Sequence, residues 1–231
     1  MRERLRTYDP AEEDTEVFRD RTEAGRKLAE ALGAYRGRDV VVLALPRGGL
    51  PVAAEVARAL GAPLDLLLVR KLGAPFHEEL AMGAVADGEP PVTVRNPDVI
   101  GMIGVGEAGF AAVRNRELTE LERRRRVYLG DRPPLSVRGR TAIVVDDGVA
   151  TGATTRAALR SVRAREPSAL VLATPVAPAG ALESLREEAD AVVCLEDLGG
   201  LGAIGAHYLD FRQLSDDEVI EILAKFPTQR A

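Results

Sequence analysis

Short apolar runs separated by amphipathic stretches recur along the 231-residue chain. Residues 39–45, 64–69, 141–145, 169–174 and 189–194 are continuous enough in Val, Leu, Ile and Ala to predict strands buried on both faces. Between them, apolar positions fall three and four apart. The first such segment, 15–36, puts Val17, Phe18, Ala24, Leu28, Ala31 and Leu32 on one face and predicts a helix ended by Gly37. Further helices are expected over 52–60, stopped by Gly61 and Pro63, and over 107–129, 153–159 and 179–188. Ser215 is placed to cap a last helix over 216–226. Strand and helix in alternation predict an α/β fold, an open parallel five-stranded sheet flanked by helices with right-handed crossovers. Ligands of such sheets lie at the carboxyl ends of the strands, where the unusual loops of this chain fall.

The periodicity weakens after Lys71. Residues 72–130 read as a flexible insertion whose pieces 82–86 and 91–94 could pair as a small hairpin, followed by the charged helix. The run Arg123 to Arg126 on that helix reads as a solvated face. After the last strand the chain turns glycine-rich over 196–213. With no internal repeat and no linker, a single domain is expected: core about 15–195, insertion about 72–130, hood about 196–213 and a C-terminal helix over 215–226.

Composition narrows the function classes. Hydrophobic residues make up 46% of the chain and aromatics only 4%, so the core must be built from Ala, Val and Leu, which suits parallel strands under helices. The formal charge of −5 gives no global attraction to nucleic acid, and the acidic N-terminal stretch lacks both a helix-turn-helix pattern and a basic face, so no DNA partner is expected. No run of apolar residues is long enough for a membrane span, and Cys194 is the only cysteine, so no internal disulfide forms. These features suit a reducing cytoplasm. Motifs for serine hydrolases and zinc peptidases are absent, and His77 and His207 lie far apart in sequence.

The stretch 141–159, TAIVVDDGVATGATTRAAL, carries the clearest chemistry. An apolar strand ends in Asp146 and Asp147, a loop of small residues follows, and a helix begins. Unpaired backbone N–H groups and the helix dipole make such a loop an anion site, and small side chains let a phosphate approach the backbone. Two carboxylates beside it must hold a cation or accept hydrogen bonds from hydroxyl groups. A sugar phosphate offers both. The string VVDDGVATGATT resembles the phosphoribosyl pyrophosphate motif of type I phosphoribosyltransferases, with Gly148 and Ala150 its unusual positions. The resemblance implies Asp146 and Asp147 for the ribose hydroxyls, and Ala150, Thr151, Gly152, Ala153 and Thr154 for the 5′-phosphate.

By itself, the PRGG loop at 46–49 reads as a strand-to-helix turn with an exposed arginine. Its position resembles the pyrophosphate loop of the same family, which commonly holds a cis non-proline peptide; Arg47, Gly48 and Gly49 would then face pyrophosphate. Arg70 and Lys71, at the end of the second strand, resemble the family's basic residues that reach the same group. They read equally as surface cations. Each charge-assisted contact of this kind contributes roughly 1.5–3 kcal/mol. Tyr208 and Phe211 in the hood are placed to stack on a base, although aromatics before a helix serve as often in packing.

The resemblance implies transfer of ribose 5-phosphate from phosphoribosyl pyrophosphate to a nitrogenous small-molecule acceptor, with Asp146, Asp147, Arg47 and Lys71 carrying the chemistry. It implies Mg2+, bound mainly through substrate oxygens and by Asp146 and Asp147, and a homo-oligomer, a dimer. A non-catalytic regulator binding phosphoribosyl pyrophosphate or nucleotides is the alternative.

Overall fold

The computed structural model describes residues 17–88, 90–199 and 203–226. Residues 15 and 16 of the expected first helix and 200–202 of the expected hood lie outside them. Five parallel strands form the main sheet: β1 (Val40–Ala44), β2 (Leu64–Leu66), β6 (Thr141–Val145), β7 (Ala169–Ala177) and β8 (Ala191–Asp197). Their order is β2-β1-β6-β7-β8, and every neighbouring pair is parallel. Helices α1 (Arg21–Ala31), α2 (Gly49–Leu60), α5 (Ala153–Arg163), α6 (Ala179–Leu185) and α7 (Asp216–Ala224) surround it. Along β1, Val40, Val42 and Ala44 enter one hydrophobic core while Val41 and Leu43, with Leu45 just past the strand, enter another. Both faces are therefore buried, which is why the strand reads as an unbroken apolar run.

The expected second strand, 64–69, is divided. β2 ends at Leu66, and Val69–Ala74 is a separate strand, β3, of a second sheet. There β3, β4 (His77–Ala86) and β5 (Val92–Arg95) run antiparallel in that order. The expected hairpin is present, with Ala84 opposite Val94 and Ala86 opposite Val92, but β4 is longer and pairs with β3 as well. The described residues of the expected flexible insertion, 72–130, thus form most of this sheet and two helices, α3 (Pro97–Ile103) and α4 (Glu107–Leu129), the second coinciding with the expected charged helix. Leu72, Met82 and Val85 share one core with Leu50 and Val56 of α2 and Leu223 of α7, so this addition is packed into the main body.

Helix boundaries follow their caps. Asp20 accepts the N–H of Glu23 at 2.8 Å and Glu23 accepts that of Arg19 at 2.6 Å, so α1 starts at Arg21 and not at the earlier apolar residues. Phe18 instead makes a parallel bridge to Tyr208. Ser215 and Glu218 form a complete capping box at α7. Among the described residues no helix is long and apolar enough to cross a membrane.

Candidate functional site

At the carboxyl end of β6, Asp146 and Asp147 leave the centre of the main sheet side by side. The N–H of Asp147 donates to Asp146 Oδ1 at 3.0 Å, which fixes the first carboxylate against the chain. The loop then runs to Gly152, whose φ of +76° is the left-handed conformation that glycine adopts without strain. Gly152 is the N-cap of α5 and supplies no capping side chain, so the first-turn N–H groups of an 11-residue helix have no side-chain acceptor from the cap. Ala150 and Thr151 are exposed, Ala153 and Thr154 half-buried, and Thr155 is buried beneath them. A concavity of about 640 Å³ opens beside Thr151 and Ala153, with Gly83, Ala84 and Arg95 of the small sheet as its far wall. Gly148, unusual in the motif, has a local cause: a Cβ there would lie 2.2 Å from the Ile204 side chain.

The PRGG loop follows β1, next to β6 in the sheet, and the two loops touch. A Cβ on Gly48 would lie 2.0 Å from Asp147 Oδ2, and one on Gly49 would lie 2.8 Å from the Val145 carbonyl oxygen. The Pro46–Arg47 peptide is cis. Arg47 Nη1 donates to Asp216 Oδ1 at 3.3 Å, and the same oxygen accepts the Tyr128 hydroxyl at 2.7 Å, so the start of α7 holds the loop arginine.

Arg21, in the first turn of α1, was not among the residues the sequence singled out. Its Nε donates to Asp147 Oδ2 at 2.7 Å and its Nη1 to the Arg212 carbonyl at 2.8 Å. The guanidinium carbon stands 3.9 Å from the centre of the Phe211 ring. Tyr208 completes the enclosure, its hydroxyl donating to the Asp147 carbonyl at 2.6 Å and its ring packing on Phe18 and Phe211. Burial first, then the adjacent Asp147 carboxylate, push the Tyr208 hydroxyl far above its usual range, so it stays a donor.

Burial, then the charge of Asp147, raise the Asp146 carboxyl well above its ordinary 3.8. The sign of the consequence is the reverse of the usual carboxylate. A folded-state value above the unfolded one contributes stability that is complete below the unfolded value and lost as pH rises through the folded one. Asp146→Asn stays neutral throughout. Its stability relative to the wild type, from urea unfolding without ligand, should therefore improve as pH rises from the ordinary carboxylate range through the raised folded-state value. A constant difference across that range would show that Asp146 is not perturbed.

Over residues 19–204 the sequence matches the family described as phosphoribosyl transferase domain. The chain belongs to that family. "Putative phosphoribosyl transferase Rv0571c" of Mycobacterium tuberculosis (strain ATCC 25618 / H37Rv) is 47% identical over 207 residues, covering 90% of this chain and 46% of that protein. "Putative phosphoribosyl transferase MT0597" from strain CDC 1551 / Oshkosh matches with the same 47% identity and the same coverage. The chain spans about half the length of these curated relatives, 46%. Among solved structures, TT1426 from Thermus thermophilus is 42% identical, with a TM-score of 0.75 over 92% of this chain and 100% of that one.

Within this phosphoribosyl transferase domain the residues picked from sequence fall into two groups. Arg47, Gly48, Gly49, Asp146, Asp147 and the loop 150–154 meet at the carboxyl ends of β1 and β6. Arg70 and Lys71 do not end a strand of the main sheet; both lie within β3 of the second sheet. Arg70 is bound to Glu117 of α4 through Nε at 2.9 Å and Nη2 at 2.7 Å. The reason is the division of the apolar run after Leu66, which moves the two cations to another sheet. Tyr208 is 5% exposed and its ring packs on Phe18 and Phe211, the packing use that the sequence left open beside base stacking. Phe211 is half-buried and already in contact with Tyr208 and Arg21. The signal for Arg21 was available: with Ala24, Gly25 and Leu28 it shares the buried stripe of α1, an unusual place for an arginine.

Proposed function

We propose that the chain transfers ribose 5-phosphate from phosphoribosyl pyrophosphate to a nitrogenous acceptor and releases pyrophosphate. The observation that carries this reading is the direct apposition of the acid pair to the PRGG loop, at the mouth of an uncapped helix. A ribose held by carboxylate acceptors, with its 5′-phosphate on the start of α5, would present its C1 substituent toward Gly48 and Gly49. Rupture of the C1–oxygen bond builds positive charge on the sugar and negative charge on the leaving group. Asp146 and Asp147 suit the first, and Arg47 with the loop N–H groups suits the second. Arg47 would exchange Asp216 for pyrophosphate oxygens. Lys71 is proposed to assist from β3, and Arg70 is held there by Glu117.

Among the described residues no group of three or more His, Cys, Asp or Glu side chains could hold a metal ion by protein ligands alone. The hard carboxylate oxygens of Asp146 and Asp147 fit a magnesium ion whose remaining positions go to substrate oxygens and water. Bound there, the ion would supply positive charge against the departing pyrophosphate.

The test is pyrophosphate release across a panel of purines, pyrimidines and amines, with magnesium and with the metal chelated. Magnesium-dependent release with at least one acceptor is the expected result. Silence across the panel together with tight binding of phosphoribosyl pyrophosphate would replace transfer by a regulatory role.

A further inference from the structure

The acid pair is not symmetrical. Asp147 is enclosed by protein: Arg21 donates to Oδ2 at 2.7 Å, the Gly48 backbone lies under the carboxylate, and Tyr208 fixes its carbonyl. The Arg21 and Asp147 side chains are only 10% and 14% exposed, so the pair is weakly screened by water. Asp146 is tied instead to the main chain, its Oδ1 accepting the N–H of Asp147 at 3.0 Å.

Arg21 is also fixed from behind. Its second donor goes to the Arg212 carbonyl and its face lies on Phe211, both in the segment expected to form the hood. One guanidinium therefore joins three parts of the chain: the first turn of α1, the acid at the end of β6 and the segment before α7. A planar guanidinium can make these contacts together, while an ammonium cannot combine the same directed bonds with ring stacking.

We infer that Arg21 is the resident cation of Asp147 and a positioning residue for the ribose hydroxyls, coupling the acid pair to the hood. This rests on the reading above that the pair binds ribose. Two adjacent carboxylates in a poorly hydrated site repel, and a fixed cation on the outer one leaves both able to accept hydrogen bonds from a sugar. A bound cation would then be served mainly by Asp146, because the Oδ2 of Asp147 already has its partner.

The inference predicts a ligand-selective defect. Arg21→Gln and Arg21→Lys would be compared with the wild type by calorimetric titration of ribose 5-phosphate and, separately, of inorganic pyrophosphate, alongside thermal melts. Arg21→Gln should weaken ribose 5-phosphate by about tenfold, a typical effect of losing a supporting partner, and pyrophosphate by less than about twofold. Arg21→Lys should recover most of the melting temperature but only part of the ribose 5-phosphate affinity. If Arg21→Gln fails to fold, the Lys variant decides alone: an unchanged ratio of the two affinities would overturn the inference. Equal losses for both ligands would overturn it too, since they would indicate general support of the fold. A wild type that binds pyrophosphate but not ribose 5-phosphate would instead refute the ribose site itself.

Discussion

Asp147→Asn should unfold at a lower temperature than the wild type even without ligand, whereas Asp146→Asn should not. The two residues are adjacent and share a motif, yet their environments are opposite. Removing the charge of Asp147 leaves Arg21 in a site where the pair is only 10% and 14% exposed, with a carbonyl and an aromatic ring as its remaining partners. Loss of one partner of a largely buried ion pair costs about 3 kcal/mol, which for a domain of this size lowers the melting temperature by roughly 6–12 °C. Asp146 carries a carboxyl that burial and its neighbour already push toward the neutral form, so the amide is the easier occupant. Differential scanning calorimetry of both variants at neutral pH checks this. Equal melting temperatures would mean that the Arg21 contact contributes little. Both variants should lose ribose 5-phosphate binding, so stability separates roles that affinity alone would merge.

A second large effect is expected from one methyl group. Gly48→Ala places its Cβ 2.0 Å from Asp147 Oδ2 and 2.5 Å from Cγ. A carboxylate at the end of a free side chain could step aside. This one cannot do so without giving up Arg21 and disturbing the chain that Tyr208 holds. The backbone of the PRGG loop must move instead, and with it the N–H groups proposed for pyrophosphate. Overpacking of this kind costs about 1–3 kcal/mol in stability, and displacement of a positioned site by about 1 Å costs about a hundredfold in function. Affinity for phosphoribosyl pyrophosphate should fall by about two orders of magnitude. Gly33→Ala is the control, since nothing lies within 4 Å of its added Cβ. If Gly48→Ala binds as the wild type does, the close approach of the two loops is not functional.

Much of the main sheet was legible because its strands are buried on both faces, which leaves an unbroken apolar run as the only workable pattern. Residues 141–145 and the start of β7 at Ala169 coincide with their expected positions for that reason. The same rule misled at 64–71. A run of leucines serves two sheets in succession, and burial looks the same in sequence whichever sheet provides it. The small sheet was only partly visible because β5 has four residues, β3 and β4 lose register around Gly73, and β4 contains Gly83, so no unbroken apolar run marks it. At the site, the motif pointed to the acids and to the loop proposed for the phosphate, because these are consecutive residues. It did not locate Arg21 or Asp216. Each acts on a residue more than 100 positions away, Arg21 on Asp147 across 126 and Asp216 on Arg47 across 169, a relation that only the folded chain reveals.

The contact of Gly148 with Ile204 constrains how relatives of this chain can diverge. Ile204, in the segment beyond β8, fills the space in which a side chain at 148 would stand. A larger residue at 148 is compatible only with a smaller one at 204. The two positions should therefore vary as a pair, and drift in the segment around Ile204 would be tethered at this point to the loop proposed to hold the phosphate.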